Sequence, residues 1–236
     1  MKKLVVISGA GKGIGKALAQ RFAAEGFSLA LCARTEADLQ NLQAELTQKH
    51  PEIEVFIRPT DVSIKTQVLS FAQMIEETGL PVEVLINNAG VFLPGQIHQE
   101  EDGALEKQIE TNLYSAYHLT RGLVPRMIEA ERGHIFNMCS TASITAYTNG
   151  GSYCISKFAL LGMSKVLREE MKPHNIRVTS ILPGATLTNS WAGSDLPEER
   201  FMPPEDVAEV AFNAYQLSDR TVVEEILMRP QLGDLG

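Results

Sequence analysis

The chain has 236 residues, 44% hydrophobic and 21% charged, and its 21 Lys+Arg against 29 Asp+Glu give a formal net charge of −8. That composition excludes collagen, low-complexity disorder and a disulfide mini-protein. The acidic balance argues against a nucleic-acid backbone as the main partner, so none is expected. The length suits one large α/β domain or two small ones.

The chain opens Met1-Lys2-Lys3 and then runs apolar over residues 4–7. Four apolar residues are too few for the core of a signal peptide. No apolar stretch approaches the ~18 residues of a membrane span, so no membrane partner is expected. Further apolar runs of strand length follow at 29–32, 55–57, 82–86, 135–138, 178–182 and 222–227. Near-continuous runs of this kind mark strands covered on both faces, as in a parallel sheet. Helical patterns fill the intervals at 14–25, 36–48, 64–78, 103–130, 152–172 and 204–217. The alternation predicts a Rossmann-type, doubly wound α/β sheet with right-handed crossovers and helices on both faces. Thr35 and Asp38 are read as a capping box for the second helix. Pro203-Pro204-Glu205-Asp206 is read as the start of the last one. Leu105, Ile109, Leu113 and Ala116 recur at helical spacing and are read as a core stripe. No linker divides the chain, so a single domain over 1–236 is expected. Its least patterned stretch, 184–203, is read as a mobile loop over a site.

Two local patterns carry chemistry. The first strand leads straight into Ser8-Gly9-Ala10-Gly11-Lys12-Gly13-Ile14-Gly15, and a helix follows. Glycines there let backbone N–H groups approach a pyrophosphate, and the helix N-terminus adds partial positive charge. Further on, Tyr153 and Lys157 stand at i and i+4 and share one helix face. A neighbouring ammonium is expected to lower the phenol pKa and make its proton exchangeable near neutral pH. Ser140 lies at the C-terminal end of the fifth strand, where open α/β sheets bind ligands. Cys32, Cys139 and Cys154 form no CxxC pair and read as buried free thiols. That usage belongs to a reducing compartment, and the protein is expected in the cytoplasm. The five histidines have no metal-ligand spacing, and no metal is expected.

In this order and spacing the motifs resemble the classical short-chain dehydrogenases/reductases over nearly the whole chain. Ser8-Gly9-x-x-x-Gly13-Ile14-Gly15 is similar to that family's cofactor turn, with Ser for the commoner Thr. Asp61-Val62 resembles its adenine-contacting pair. Asn87-Asn88-Ala89-Gly90 matches its N-N-A-G motif, and Asn112 falls where the family has a helix Asn supporting a proton relay. Ser140 precedes Tyr153 by thirteen residues, and Lys157 completes Y-x-x-x-K. Pro183-Gly184 with Thr186 and Thr188 resembles the segment that contacts the nicotinamide carboxamide. The resemblance implies about seven parallel strands, a homodimer or homotetramer, and a nicotinamide cofactor. It also implies roles. Tyr153 is the acid in reduction, Lys157 tunes it and bonds the nicotinamide ribose, and Ser140 polarises the carbonyl. Asn112 holds a helix kink and a water leading to Lys157.

The stretch Leu31-Cys32-Ala33-Arg34 carries no acid where NAD-users of the family tend to have one. Arg34 and Lys12 are cations suited to a 2′-phosphate, so NADPH is expected over NADH. Glu36 is read as a first-turn helix residue rather than a ribose ligand. Phe92, Leu93, Tyr147, Trp191 and Met202 lie on segments expected to border a substrate pocket, with Tyr147 and Trp191 as substrate contacts. Within the family, the chain end 220–230 and the motifs 9–15 and 153–158 resemble bacterial sepiapterin-reductase-like proteins, which reduce a pterin side-chain ketone or related dicarbonyls. A 3-oxoacyl-carrier-protein reductase is the alternative. Its acidic carrier needs a basic docking patch, whereas Glu129-Ala130-Glu131-Arg132 is acidic. A non-catalytic dinucleotide sensor on the same fold is the remaining reading.

Overall fold

A computed structural model describes residues 2–188, 191 and 195–235. Seven parallel strands form one sheet in the order β3-β2-β1-β4-β5-β6-β7. They are β1 (Leu4–Ser8), β2 (Ser28–Ala33), β3 (Val55–Pro59), β4 (Val82–Asn87), β5 (Gly133–Met138), β6 (Ile176–Pro183) and β7 (Glu225–Met228). Every residue of β1 and of β4 is buried, which is why their sequences are mostly apolar and lack polar–apolar alternation, Glu83 and Asn87 being the buried exceptions in β4. Successive β1 residues feed opposite layers. Val5 and Ile7 pack with α1 (Gly13–Ala23), α2 (Glu36–Lys49) and α7 (Pro204–Gln216) through Phe22, Leu39 and Phe212. Leu4 and Val6 pack with α3 (Lys65–Glu77) and α5 (Ser115–Glu129) through Phe71, Leu119 and Leu123. Strand order reverses between β1 and β4, so the crevice beyond their C-terminal ends is where such a sheet receives a ligand. Among the described residues no helix is long and apolar enough to cross a membrane.

Several local expectations change. Thr35 does precede α2 in an extended conformation, but its side chain caps nothing. Asp38, the other half of the expected capping box, instead places a carboxylate oxygen 3.2 Å from the Lys12 ammonium. The expected helix 103–130 is α4 (Ala104–Ile109), a π-helical turn (Glu110–Tyr114) and α5, joined end to end. The expected core stripe fails in its first half, where Leu105 is exposed and Gln108 and Asn112 are the buried residues. Their side chains bond the backbone of the loop after β4: Gln108 Oε1 accepts from the Leu93 N–H at 3.1 Å, and Asn112 Oδ1 from the Val91 N–H at 2.7 Å. Polar side chains occupy that face because unpaired loop N–H groups need them. The last strand starts later than expected, at Glu225, and is a half-exposed edge.

Candidate active site

The glycine turn joins β1 to α1 at the switch point. Gly9 has φ +68, a conformation glycine adopts without strain, and a Cβ there would lie 2.9 Å from the Ala89 Cα. A Cβ on Gly15 would strike the Gly9 carbonyl, so α1 can approach the turn only without one. Lys12 stands before α1 in an extended conformation, and no side chain caps the helix. The first turn of α1 thus receives no bond from its N-cap side chain and stands beside a cradle that side chains would fill. That is an arrangement suited to a pyrophosphate. Ile14 packs into the core, and Gly11 abuts the end of β2, where a Cβ would meet that of Ala33 at 3.3 Å.

The end of β4 is clasped to this turn. Asn88 Nδ2 donates to the carbonyls of Ser8 at 2.9 Å and Gly9 at 3.1 Å. The Ser8 hydroxyl accepts from the N–H groups of Asn88 and Ala89, both at 3.1 Å. Ser8 and Asn88 thus fix the floor of the crevice. Arg34 is exposed immediately after β2. After β3, the Asp61 carboxylate accepts from the Ser63 N–H at 3.0 Å and hydroxyl at 2.7 Å. The Ser63 bonds, with a contribution from the Arg34 charge, hold it below the usual carboxylate range. Val62 packs against the core.

On the far side, Gly184 follows β6 and Pro183, and donates to the Met228 carbonyl at 2.8 Å. The Thr186 hydroxyl donates to the Gly184 carbonyl at 3.1 Å, and Thr186 bridges to Met202. Thr188 reaches over the glycine turn, so that a Cβ on Gly13 would lie 3.0 Å from its methyl group. Residues 184–188 of the segment expected to be a mobile loop, 184–203, therefore run from the end of β6 to the glycine turn. Its residues 189, 190 and 192–194 lie outside the described ones.

The expected catalytic side chains come from three elements. Ser140 follows β5 and caps a short 3-10 turn; its hydroxyl accepts from the Ala142 N–H at 3.1 Å while its own N–H donates to the Ser143 hydroxyl at 3.2 Å. α6 (Gly151–Met171) carries Tyr153 and Lys157 one turn apart. The Lys157 ammonium donates to the Met138 carbonyl at 2.8 Å and lies 5.9 Å from the Tyr153 ring centre. Asn112 sits in the π turn and donates to the Val91 carbonyl at 3.0 Å and the Ser156 hydroxyl at 2.9 Å. Gly90 leaves open the space between them: a Cβ there would lie 3.3 Å from Asn112 Oδ1 and 3.6 Å from Lys157 Nζ. All four expected residues are brought together beside the glycine turn.

The electrostatics differ from the sequence expectation. Burial pushes the Tyr153 phenol above its ordinary value, with the Ser140 hydroxyl opposing. Burial also lowers the Lys157 ammonium to about 8. Desolvation outweighs the pairwise attraction because the ammonium is directed to a carbonyl rather than to the phenol. Around the site, Phe92 packs edge-on against the Tyr153 ring with centroids 4.8 Å apart. Trp191 packs on Phe201 at 5.1 Å. Tyr147 is half exposed and, with Ile97, Cys154 and Phe158, lines a cavity of about 400 Å³. Sequence reasoning missed Ser156, which joins Asn112 to the Tyr153 carbonyl (2.8 Å), although its place three residues after Tyr153 was a signal. It also missed Gln108 and Ser143, whose polar side chains gave no sign of burial.

The sequence profile described as short chain dehydrogenase matches residues 3–198. The chain is 34% identical over 243 positions to the sepiapterin reductase of Chlorobaculum tepidum, covering 100% of this chain and 99% of that one. An alcohol dehydrogenase from the archaeon Thermococcus sibiricus, complexed with 5-hydroxy-NADP, superposes with TM-score 0.93 at 27% identity, covering 100% of both chains. The L-sorbose reductase of Gluconobacter frateurii, complexed with NADPH and L-sorbose, gives 0.89 at 28%, covering 97% of this chain and 95% of that one. Sheet order, crevice and sequence agree with one another, and the chain belongs to the short-chain dehydrogenase/reductase family of oxidoreductases.

Proposed function

We propose that this protein reduces a small-molecule ketone, aldehyde or dicarbonyl with NADPH, as a sepiapterin-reductase-like carbonyl reductase. The observation that carries the reading is the gathering of Ser140, Tyr153, Lys157 and Asn112 beside an uncapped helix N-terminus and its glycine cradle.

In this reading the N–H groups of Gly13, Ile14 and Gly15 hold the cofactor's pyrophosphate, over Gly9 and Gly11. Asp61 and Val62 border the adenine, Asn88, Ala89 and Gly90 line the floor, and Pro183, Gly184, Thr186 and Thr188 flank the nicotinamide. Arg34 receives the 2′-phosphate. Lys12 assists once released from Asp38, since the phosphate carries more charge than the carboxylate. NADPH supplies the hydride when bound. The chain's own work is to place the carbonyl and handle its proton. Ser140 donates to the carbonyl oxygen, and Tyr153 gives that oxygen its proton. A phenol raised by burial stays protonated at neutral pH, the form an acid in reduction needs. Lys157 bonds the nicotinamide ribose, and with Asn112 replenishes the proton. Tyr147 and Trp191 contact the substrate.

We further propose a single catalytic domain over 1–236, with 184–203 as its mobile substrate loop. Apolar side chains exposed on α5 and α6, Tyr117, Ile155 and Phe158, support a homodimer or homotetramer. Three free, buried cysteines fit a reducing compartment, hence the cytoplasm.

The test is the rate of NADPH oxidation with a vicinal diketone, with sepiapterin and with an acetoacetyl thioester. Turnover of the first two above the third is expected. Preference for the thioester would make the protein a 3-oxoacyl-carrier-protein reductase, and cofactor binding without any turnover would make it a sensor.

A further inference from the structure

The helix that carries Tyr153 and Lys157 has no cap of its own. Gly150 precedes α6 in a helical conformation and offers no side chain to the first N–H groups. Those groups need acceptors, and a carboxylate from 52 residues upstream meets one of them, the Ser152 N–H. Glu100 Oε1 accepts from the Ser152 N–H at 2.8 Å, and Oε2 accepts from the Ser152 hydroxyl. A carboxylate at a helix N-terminus is favoured by charge-assisted bonding and by the helix dipole.

The chain is shaped to admit this contact. A Cβ on Gly151 would strike Glu100 Oε1, and one on Gly95 would lie 2.6 Å from Glu100 Cγ. Gly95 also donates to the Asn149 carbonyl at 3.0 Å and bridges to Gly150. The loop 91–103 is thereby bound to the start of α6 through both backbone and side chain. The same loop presents Phe92 to the face of Tyr153, the residue after Ser152. It is anchored at its other end by Asn112 and Gln108. One loop therefore holds the Tyr153 ring through Phe92 and the residue just before it, Ser152, through Glu100.

We infer that Glu100 is a positioning residue, capping α6 from the β4–α4 loop and thereby setting where the Tyr153 phenol meets the substrate. It touches no reacting atom. The inference rests on the proposed reductase reading for its kinetic consequence but not for its structural one. Small displacements of a proton donor cost large factors in rate. Glu100→Ala should therefore lower kcat roughly ten- to a hundredfold. KM for NADPH should stay within about twofold, because the glycine turn lies on β1 and α1 and the Lys157 ammonium is tied to the Met138 carbonyl, one turn beyond the capped start of α6. Glu100→Gln can still accept the Ser152 N–H and can donate to its hydroxyl, so it should recover most of kcat.

The experiment measures kcat and KM of the full chain and both variants, with NADPH and a vicinal diketone, together with hydrogen–deuterium exchange of the segment 150–157. The expected result is a kcat loss in Glu100→Ala, rescue in Glu100→Gln, and faster exchange confined to the start of α6. An unchanged kcat in Glu100→Ala overturns the inference. So does a loss matched by equal losses in NADPH binding and in exchange protection throughout the sheet, which would make Glu100 merely structural. If the unaltered protein turns over no carbonyl, the reductase reading fails on its own. Exchange then decides Glu100: local loosening supports the cap, and no change removes it.

Discussion

The Lys157 ammonium lies 5.9 Å from the centre of the Tyr153 ring, yet its hydrogen bond goes to the Met138 carbonyl, 2.8 Å away. The pair shares a pocket without sharing a proton. Burial acts on the two in opposite senses, raising the phenol and lowering the amine to about 8. The resting site is thus a neutral acid backed by an ammonium that is easily discharged.

That discharge has a consequence for cofactor affinity. If Lys157 must be charged to bond the ribose, binding is unaffected below pH 8 and weakens above it, approaching tenfold per pH unit. NADPH fluorescence titrations between pH 7 and 9.5 should show a Kd that is flat and then rising. Lys157→Met should bind more weakly at neutral pH and show no such bend.

Tyr153→Phe removes the proton donor and keeps the ring that packs on Phe92. Turnover should fall by at least a hundredfold, the scale of general acid catalysis, while the Kd for NADPH changes by less than about threefold. Near-normal turnover would remove the mechanism.

Arg34 is exposed at the end of β2, where its charge already reaches Asp61. A charged hydrogen bond to phosphate contributes about 1.5–3 kcal/mol. Arg34→Ala should accordingly raise KM for NADPH roughly ten- to a hundredfold and leave NADH nearly unaffected. A kcat/KM for NADH equal to that for NADPH in the unaltered protein would contradict the assignment.

Stability should carry the signature of His134, fully buried in β5. Its Nε2 lies 2.7 Å from the Thr179 hydroxyl, which already donates to the Val223 carbonyl at 2.6 Å. Nε2 therefore holds the proton, and Nδ1 is buried without a partner. Burial holds the ring well below its ordinary pKa. The unfolded chain takes up a proton that the folded one refuses, so the contribution is full above about pH 6.5 and is lost as the pH falls, at about 1.4 kcal/mol per unit. Urea titrations from pH 7.5 to 5 should show this loss, and His134→Gln should flatten it over the upper part of that range.

The strands, the glycine turn and Y-x-x-x-K were legible because each follows from near-neighbour rules: apolar runs for doubly covered strands, glycine for close approach, four-residue spacing for one helix face. The Thr35–Asp38 cap was misread because Lys12, far away in sequence, competes for Asp38. Spacing put Lys157 beside the Tyr153 ring but could not report the burial that raises the phenol. Glu100 was invisible: nothing near residue 100 announces that its partner is the amide of residue 152.

The π turn at Glu110–Tyr114 lets one rod serve two masters. Upstream of it and within it the inward side belongs to Gln108 and Asn112 and addresses the site; downstream it belongs to Leu119, Leu123 and Met127 and addresses the hydrophobic interior. About five residues of π winding turn as far as about four of α winding, so the two halves keep their phase although the turn holds one residue more. The added residue is taken up around Asn112, where the carboxamide meets its loop, and the leucines downstream keep facing the interior. Deleting it would straighten the winding at the site and leave the hydrophobic face where it is.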